Sequence, residues 1–213
     1  MSSDEENDEL MDLEAIRDKI ISTPQNERMQ VSAWDNDDDG VDDSRDAKDP
    51  TESAILTAAE EGQLDKVKEF YKLNKTLIKC QDKDGYTPLH RACYGNHTNV
   101  AEFLLESGAK IDAQTQDGWQ PLHSACCWNN VDCAAMLIAH GADVNAKSKG
   151  DQTPLHLVSS ASQNAPCLQL LLLNPEIDAS LVNSSGDKAY DIAKRTGKHY
   201  PMFEMTEPCM NEI

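Results

Sequence analysis

The sequence has few aromatic residues, few basic residues and no long apolar run. Phe, Trp and Tyr make up 5% of its 213 residues, so its core must consist of aliphatic side chains, alanine and cysteine. A net charge of −19 argues against binding to a nucleic-acid backbone or an anionic membrane. The apolar runs are shorter than the ~18 residues of a spanning helix, and the acidic N-terminus is unlike a signal peptide. We expect a soluble, intracellular protein.

The cysteines show neither a disulfide pattern nor a zinc pattern. There are seven of them, an odd number, with no C-x-x-C pair. Cys126, Cys127 and Cys133 lie near His123 and His140 in sequence, but their spacing matches no common zinc-ligand pattern. We therefore predict no metal and no cofactor, and a reducing compartment.

The charge divides the chain into two regions. Residues 1–50 contain 17 acidic and 5 basic residues, a composition that predicts a mostly disordered segment. Within it, apolar residues at three- and four-residue spacing predict a short amphipathic helix at 9–21. The segment is interpreted either as a solvating tail or as an acidic-hydrophobic interaction region, a composition that occurs in transcriptional activation regions.

The remainder of the chain, residues 51–213, is periodic. Thr87-Pro88-Leu89-His90 recurs after 33 residues as Gln120-Pro121-Leu122-His123 and again as Thr153-Pro154-Leu155-His156. Degenerate copies begin at Ser53 and Lys188. This pattern resembles the ankyrin repeat, which implies an all-α solenoid with β-hairpin-like loops. We expect about five repeats, the outer two degenerate, near 52–83, 84–116, 117–149, 150–184 and 185–205.

Local signals agree with this resemblance. Thr87 and Thr153 are good N-caps, and each is followed by a proline at the first helical position. Asn96 and Asn129 occupy positions where a left-handed glycine normally ends the first helix of a repeat. Ser162 is a poorer substitute there, and we expect a distorted loop around it. Cys93 and Cys126 are interpreted as core replacements for alanine.

The three motif histidines invite a catalytic or metal-binding interpretation. Their equal spacing instead places one in each repeat at the same position. In ankyrin repeats this histidine bonds to the threonine hydroxyl and nearby backbone, so the resemblance implies a structural role. The sequence also has no glycine-rich phosphate loop, no G-x-S-x-G and no H-E-x-x-H. We therefore predict that the protein is not an enzyme; a Cys127-dependent activity is the remaining catalytic alternative.

Candidate partner-binding residues lie at the loop tips and at variable positions of the inner helices. Two of the three Trp residues fall there, which is notable in a chain so poor in aromatics. We hypothesise that Tyr86, Tyr94, Trp119 and Trp128 form one contiguous patch with Arg91 as its polar anchor. Alternatively, the two tryptophans fill gaps between adjacent loops. The full candidate set is Tyr86, Arg91, Tyr94, Trp119, Ser124, Cys127, Trp128, Gln152 and Leu157.

A narrower resemblance rests on the middle of the chain. Asp117-Gly118-Trp119, followed by Trp128-Asn129-Asn130, is similar to the central repeat of one family of small ankyrin repeat proteins. The resemblance implies a non-enzymatic adaptor that is nuclear in vertebrate members and linked to positive regulation of transcription. The partner would be a protein, with no direct nucleic-acid or membrane contact, and we expect a monomer. The alternative is a competitive regulator that masks a basic surface of a partner through its acidic tail or its repeats.

Overall fold

The computed structural model describes residues 50–160, 165–197 and 199–204. The helix predicted at 9–21 and the loop position Ser162 lie outside these residues. The helices are α1 (Pro50–Glu60), α2 (Leu64–Leu73), a 3-10 helix (Lys75–Lys79), α3 (Pro88–Tyr94), α4 (Thr98–Glu106), α5 (Pro121–Cys127), α6 (Val131–Ala139), α7 (Pro154–Ser160), α8 (Ala165–Leu172) and α9 (Ala189–Thr196), and residues 200–204 are also helical.

The helices stack as successive pairs, which confirms the all-α solenoid. The first helices of the pairs, α1, α3, α5, α7 and α9, pack on one another in chain order and form the inner row. The second helices, α2, α4, α6 and α8, form the outer row. Within the described residues the loops contain no β-strand, only an isolated bridge between Val182 and Lys188. The longest described helix, α1, has 11 residues, and none of the described helices is long and apolar enough to cross a membrane.

One apolar core runs through the whole stack. Leu89, Leu122 and Leu155 occupy the same motif position in α3, α5 and α7, and each is at most 1% exposed. Cys93 and Cys126 are fully buried in the same core, which confirms their interpretation as replacements for alanine. Because each pair completes its core only against its neighbours, the repeats stabilise one another rather than folding independently.

The histidines His90, His123 and His156 make equivalent contacts in three successive repeats, which confirms their structural role. Nδ1 of each ring accepts a hydrogen bond, at 3.1–3.2 Å, from the backbone N–H of the residue three positions earlier. Nδ1 is therefore unprotonated, and Nε2 donates to a carbonyl oxygen of the next loop tip at 3.0–3.1 Å. Those carbonyl oxygens belong to Trp119, Gln152 and Asp187.

The terminal repeats lack this histidine. Leu56 occupies its position in α1 and is buried in the apolar interior. Asp191 occupies it in α9, where its carboxylate accepts a hydrogen bond from the Lys188 N–H at 3.0 Å. Asp191 thus keeps the contact at the start of its own helix, but an ionised carboxylate has no proton to donate onward.

Left-handed residues end the first helices at the predicted positions. Gly62, Asn96 and Asn129 have φ values of 72°, 58° and 58°. The asparagines also make contacts that glycine could not make. Oδ1 of Asn96 accepts a hydrogen bond from the Cys133 N–H at 3.3 Å, and Oδ1 of Asn129 accepts one from the Cys167 N–H at 3.2 Å. Asparagine therefore both permits the turn and ties it to the next outer helix.

The loop tips stack closely because glycine occupies the contact points. Gly118 has a φ of 74°, and a Cβ placed there would lie 2.9 Å from the backbone nitrogen of Lys149. The same Lys149 N–H donates to the Asp117 carbonyl at 2.8 Å, so the two backbones cannot separate without breaking this bond. Gly186, at the corresponding position of the last described tip, has a φ of 80° and nothing within 4 Å of such a Cβ.

We expect Gly118→Ala to destabilise the protein more than Gly186→Ala. Both substitutions incur the cost of about 1 kcal/mol for an L-residue in left-handed backbone. Gly118→Ala adds a backbone clash, which we expect to cost a further ~1–3 kcal/mol. Urea unfolding followed by circular dichroism measures both free energies. Equal losses of unfolding free energy in the two variants would contradict the close stacking of the tips.

We also expect stability to fall as the pH drops below neutrality. Burial lowers the pKa of His90 from 6.5 to about 4, and burial also lowers the pKa values of His123 and His156. The unfolded chain therefore binds protons at a pH where the folded chain does not. The stabilisation from neutral His90 is complete above pH 6.5 and is lost as the pH falls towards 4. Over this whole range the loss amounts to about 3 kcal/mol.

Urea unfolding between pH 7 and about 5.5 tests this expectation before most carboxylates titrate. His90→Gln should reduce the pH dependence of the free energy of unfolding. His140→Gln, which removes an exposed histidine, is the control for the loss of an imidazole. If the free energy of unfolding changes with pH by the same amount in the unchanged protein and in both variants, His90 does not cause the loss of stability.

Candidate functional site

The candidate residues lie on the surface formed by the inner helices and the tips that precede them, here called the inner face. Trp128, immediately after α5, is 49% exposed and therefore does not fill a closed gap between loops. Tyr86, Tyr94 and Trp119 are partly exposed. The inner face thus presents several rings to solvent in a chain whose other large apolar side chains are mostly in the core.

Tyr94 and Trp128 form an aromatic corner at the ends of α3 and α5. Their ring centroids are 5.1 Å apart and the rings are inclined at 77°, the edge-to-face arrangement that aromatic quadrupoles favour. Asn130 holds the corner in place, because its side-chain amide donates to the carbonyl oxygens of Cys93 at 2.8 Å and Tyr94 at 2.7 Å. The spacing between the two helix ends is therefore fixed by polar contacts beneath the rings.

Arg91 bridges the first two repeats. One guanidinium nitrogen lies 3.1 Å from Glu60 at the end of α1, and another lies 2.6 Å from Asp82 in the second repeat's own tip. The guanidinium carbon is 5.2 Å from the centroid of the Tyr86 ring, within cation–π distance. Because Leu56 replaces the linking histidine in α1, this ion pair supplies a polar link at the first interface. The expected polar anchor of the patch is thus already paired within the chain.

The two tip rings are held separately from the aromatic corner. The backbone N–H of Tyr86 donates to the Asp82 carboxylate at 2.8 Å, and the backbone N–H of Trp119 donates to the Thr115 hydroxyl at 3.0 Å, so the backbone that carries each ring is fixed within its own tip. Trp119 stacks on His123 with centroids 6.4 Å apart and an interplanar angle of 25°. In the part of the chain that the structure describes, neither tip ring makes a ring–ring contact with the corner. The four aromatic residues share one face without forming a single stack.

The remaining candidates differ in exposure. Ser124 is only 2% exposed, so its assignment to the partner-binding set is wrong: on α5 it points under the surface rather than out of it. Cys127 is partly buried, and burial raises the pKa of its thiol, which disfavours the reactive thiolate. Gln152 and Leu157 are partly exposed, and the Gln152 carbonyl is already the acceptor for His123.

Carboxylates surround the rings at the N-terminal end of the inner face. The pKa of Tyr86 is raised by burial and by the negative charges of Asp117, Asp82 and Asp84, against the opposing effect of Arg91. The pKa of Tyr94 is raised by burial and then by Glu60. Carboxylates thus lie near both phenols, and Arg91 opposes their effect on the pKa of each.

Three residues of this site were not predicted from the sequence, namely Glu60, Asp82 and Asn130. Asp82 had a detectable signal, since it lies 33 residues before Thr115, and both side chains accept a hydrogen bond from the aromatic residue of their own tip. Glu60 had no such signal in the sequence. Its contact with Arg91 joins two repeats over a separation of 31 residues, which is not the repeat period.

The inner face has the composition of a protein-binding surface. Within residues 50–160, 165–197 and 199–204 no group of three or more His, Cys, Asp or Glu side chains is placed to hold a metal ion. The inner face instead combines exposed rings with fixed carboxylates, which are groups that recognise another protein.

Comparison with known proteins identifies the repeats. Models described as ankyrin repeats match residues 55–148 and 137–193. Ankyrin repeat domain-containing protein 49 of Drosophila melanogaster is 52% identical over 180 residues, which cover 84% of each chain. The proteins of that name from Mus musculus and Bos taurus are 56% and 52% identical over 164 residues, or 77% of this chain and 68% of theirs.

The narrower resemblance inferred from the middle of the chain is confirmed by these matches. Ankyrin repeats are modules of protein–protein interaction, and proteins built from them are in general non-enzymatic. The chain belongs to the ankyrin repeat family and, within it, to the family of ankyrin repeat domain-containing protein 49.

Proposed function

We propose that this protein is a non-enzymatic adaptor that binds a partner protein through the aromatic corner of Tyr94 and Trp128. The observation that carries this proposal is the 49% exposure of Trp128, held edge-to-face against Tyr94 by a polar network below it. Tryptophan and tyrosine dominate the energetics of protein interfaces, and a ring held in a fixed orientation loses little conformational entropy on binding.

The neighbouring side chains extend this surface along the inner face. Tyr86 and Trp119 project from consecutive tips, and Gln152 and Leu157 continue the line towards the C-terminal repeats. The backbone bond between Gln116 and Asp84, 2.7 Å long, keeps the first two of these tips together. A partner that lies along the inner face would contact these four side chains one after another.

We further propose that the adaptor is intracellular and acts in the nucleus in positive regulation of transcription. The support is the family resemblance together with the acidic residues 1–50, whose apolar residues are set among carboxylates as in activation regions. A competitive regulator that masks a basic surface is the second candidate, supported by the net charge of −19.

Trp128→Ala should weaken capture of cellular partners by at least about tenfold, because removing a central interface tryptophan commonly costs ~2 kcal/mol or more. Leu173→Ala is the matched control, since Leu173 is 68% exposed on the outer row and away from the aromatic corner. Quantitative affinity capture with the full chain, followed by titration of the recovered partner, measures both effects.

Deletion of residues 1–49 separates the two candidate functions in the same assay. An adaptor that binds through the aromatic corner keeps its affinity for the partner without them. Loss of binding on deletion, combined with no effect of Trp128→Ala, would overturn the proposed site and favour the acidic segment as the binding element.

A further inference from the structure

The N-terminal end of the inner face carries an excess of carboxylates. Its carboxylates are Glu60, Asp82, Asp84 and Asp117, and its cations are Lys83 and Arg91. The exposed Asp84 and Asp117 make no ion pair with any residue in the described ranges. They lie close enough to Tyr86 to raise the pKa of its phenol. Towards the C-terminal end the exposed lysines are interspersed with exposed aspartates, so that end is mixed in charge.

Arg91 shows what kind of group this acidic end binds. Its guanidinium is paired with two carboxylates, Glu60 and Asp82, and lies over the ring of Tyr86. A planar cation thus already occupies a carboxylate–aromatic site within the chain. The aromatic corner next to it provides a second ring surface, and no cation is present over it among the described residues.

We propose that the partner presents a basic, arginine-containing segment to this end of the inner face. An arginine of the segment stacks on the rings of Tyr94 and Trp128, and a neighbouring basic residue pairs with Asp84 and Asp117. This inference rests on the proposed function and specifies the chemistry of its partner. It adds an electrostatic requirement that an aromatic surface alone does not impose.

The chain's own acidic segment is a poor occupant of this surface. Residues 1–50 carry a net charge of −12, and they would approach Asp84 and Asp117 against charge repulsion. Charge complementarity therefore favours a separate, positively charged partner at the N-terminal end.

A defined peptide tests this proposal. The probe is a fluorescein-labelled peptide of twelve residues in which four arginines alternate with pairs of serine and glycine; a second peptide carries citrulline, a neutral isostere, at the four positions. Fluorescence anisotropy with the full chain should show binding of the arginine peptide and at least about tenfold weaker binding of the citrulline peptide. Trp128→Ala should weaken binding of the arginine peptide about fivefold to tenfold.

Matched charge variants separate a local site from general attraction to an acidic protein. Asp84→Asn/Asp117→Asn and Glu102→Gln/Glu106→Gln each remove two negative charges, the second pair from the exposed side of the outer helix α4. The first pair should weaken binding several-fold and reduce its salt dependence, whereas the second should have little effect. Equal weakening by both pairs, or no effect of Trp128→Ala, would overturn the proposal.

The outcome also separates this inference from the proposed function. If the arginine peptide does not bind, but the captured partner still loses affinity with Trp128→Ala, the basic segment is refuted and the adaptor site remains. If Trp128→Ala affects neither the peptide nor the captured partner, both are refuted.

Discussion

The hydrogen bond from histidine Nε2 to the next tip's carbonyl is the constraint on which the stack depends. It fixes the tautomer of each ring, since Nδ1 is already an acceptor at the start of the same helix. Acceptance at Nδ1, together with burial between two repeats, keeps the ring neutral. This one side chain, used three times, acts with the backbone bonds between tips to set the spacing of the residues carried on them.

The 33-residue period predicted most of the contacts between repeats, because each repeat packs on its neighbour through residues at the same positions. The histidine contacts and the left-handed asparagines follow from position within the repeat alone. The pairing of Arg91 with Glu60 could not be predicted in this way, because it belongs to a single interface where the histidine is missing. The burial of Ser124 was missed for a related reason: a position that is variable in sequence need not face solvent.

The side chains of the candidate site are not the ones that hold the repeats together. Tyr94 and Trp128 contribute their rings at the ends of inner helices, whereas the contacts that hold those helix ends run through Asn130 to backbone carbonyls. Exposure of Trp128 was predictable from its place in the repeat. Its edge-to-face pairing with Tyr94 was not, because it depends on the distance between two helix ends in adjacent repeats.

Asp191 has a consequence for the polarity of the last described repeat. A histidine at that position would offer its second nitrogen as a donor, as His156 does to the Asp187 carbonyl. The carboxylate secures the start of its own helix but has no such donor. This repeat therefore receives a histidine hydrogen bond through its tip, whereas the residue that donates one in α3, α5 and α7 is in α9 an acceptor.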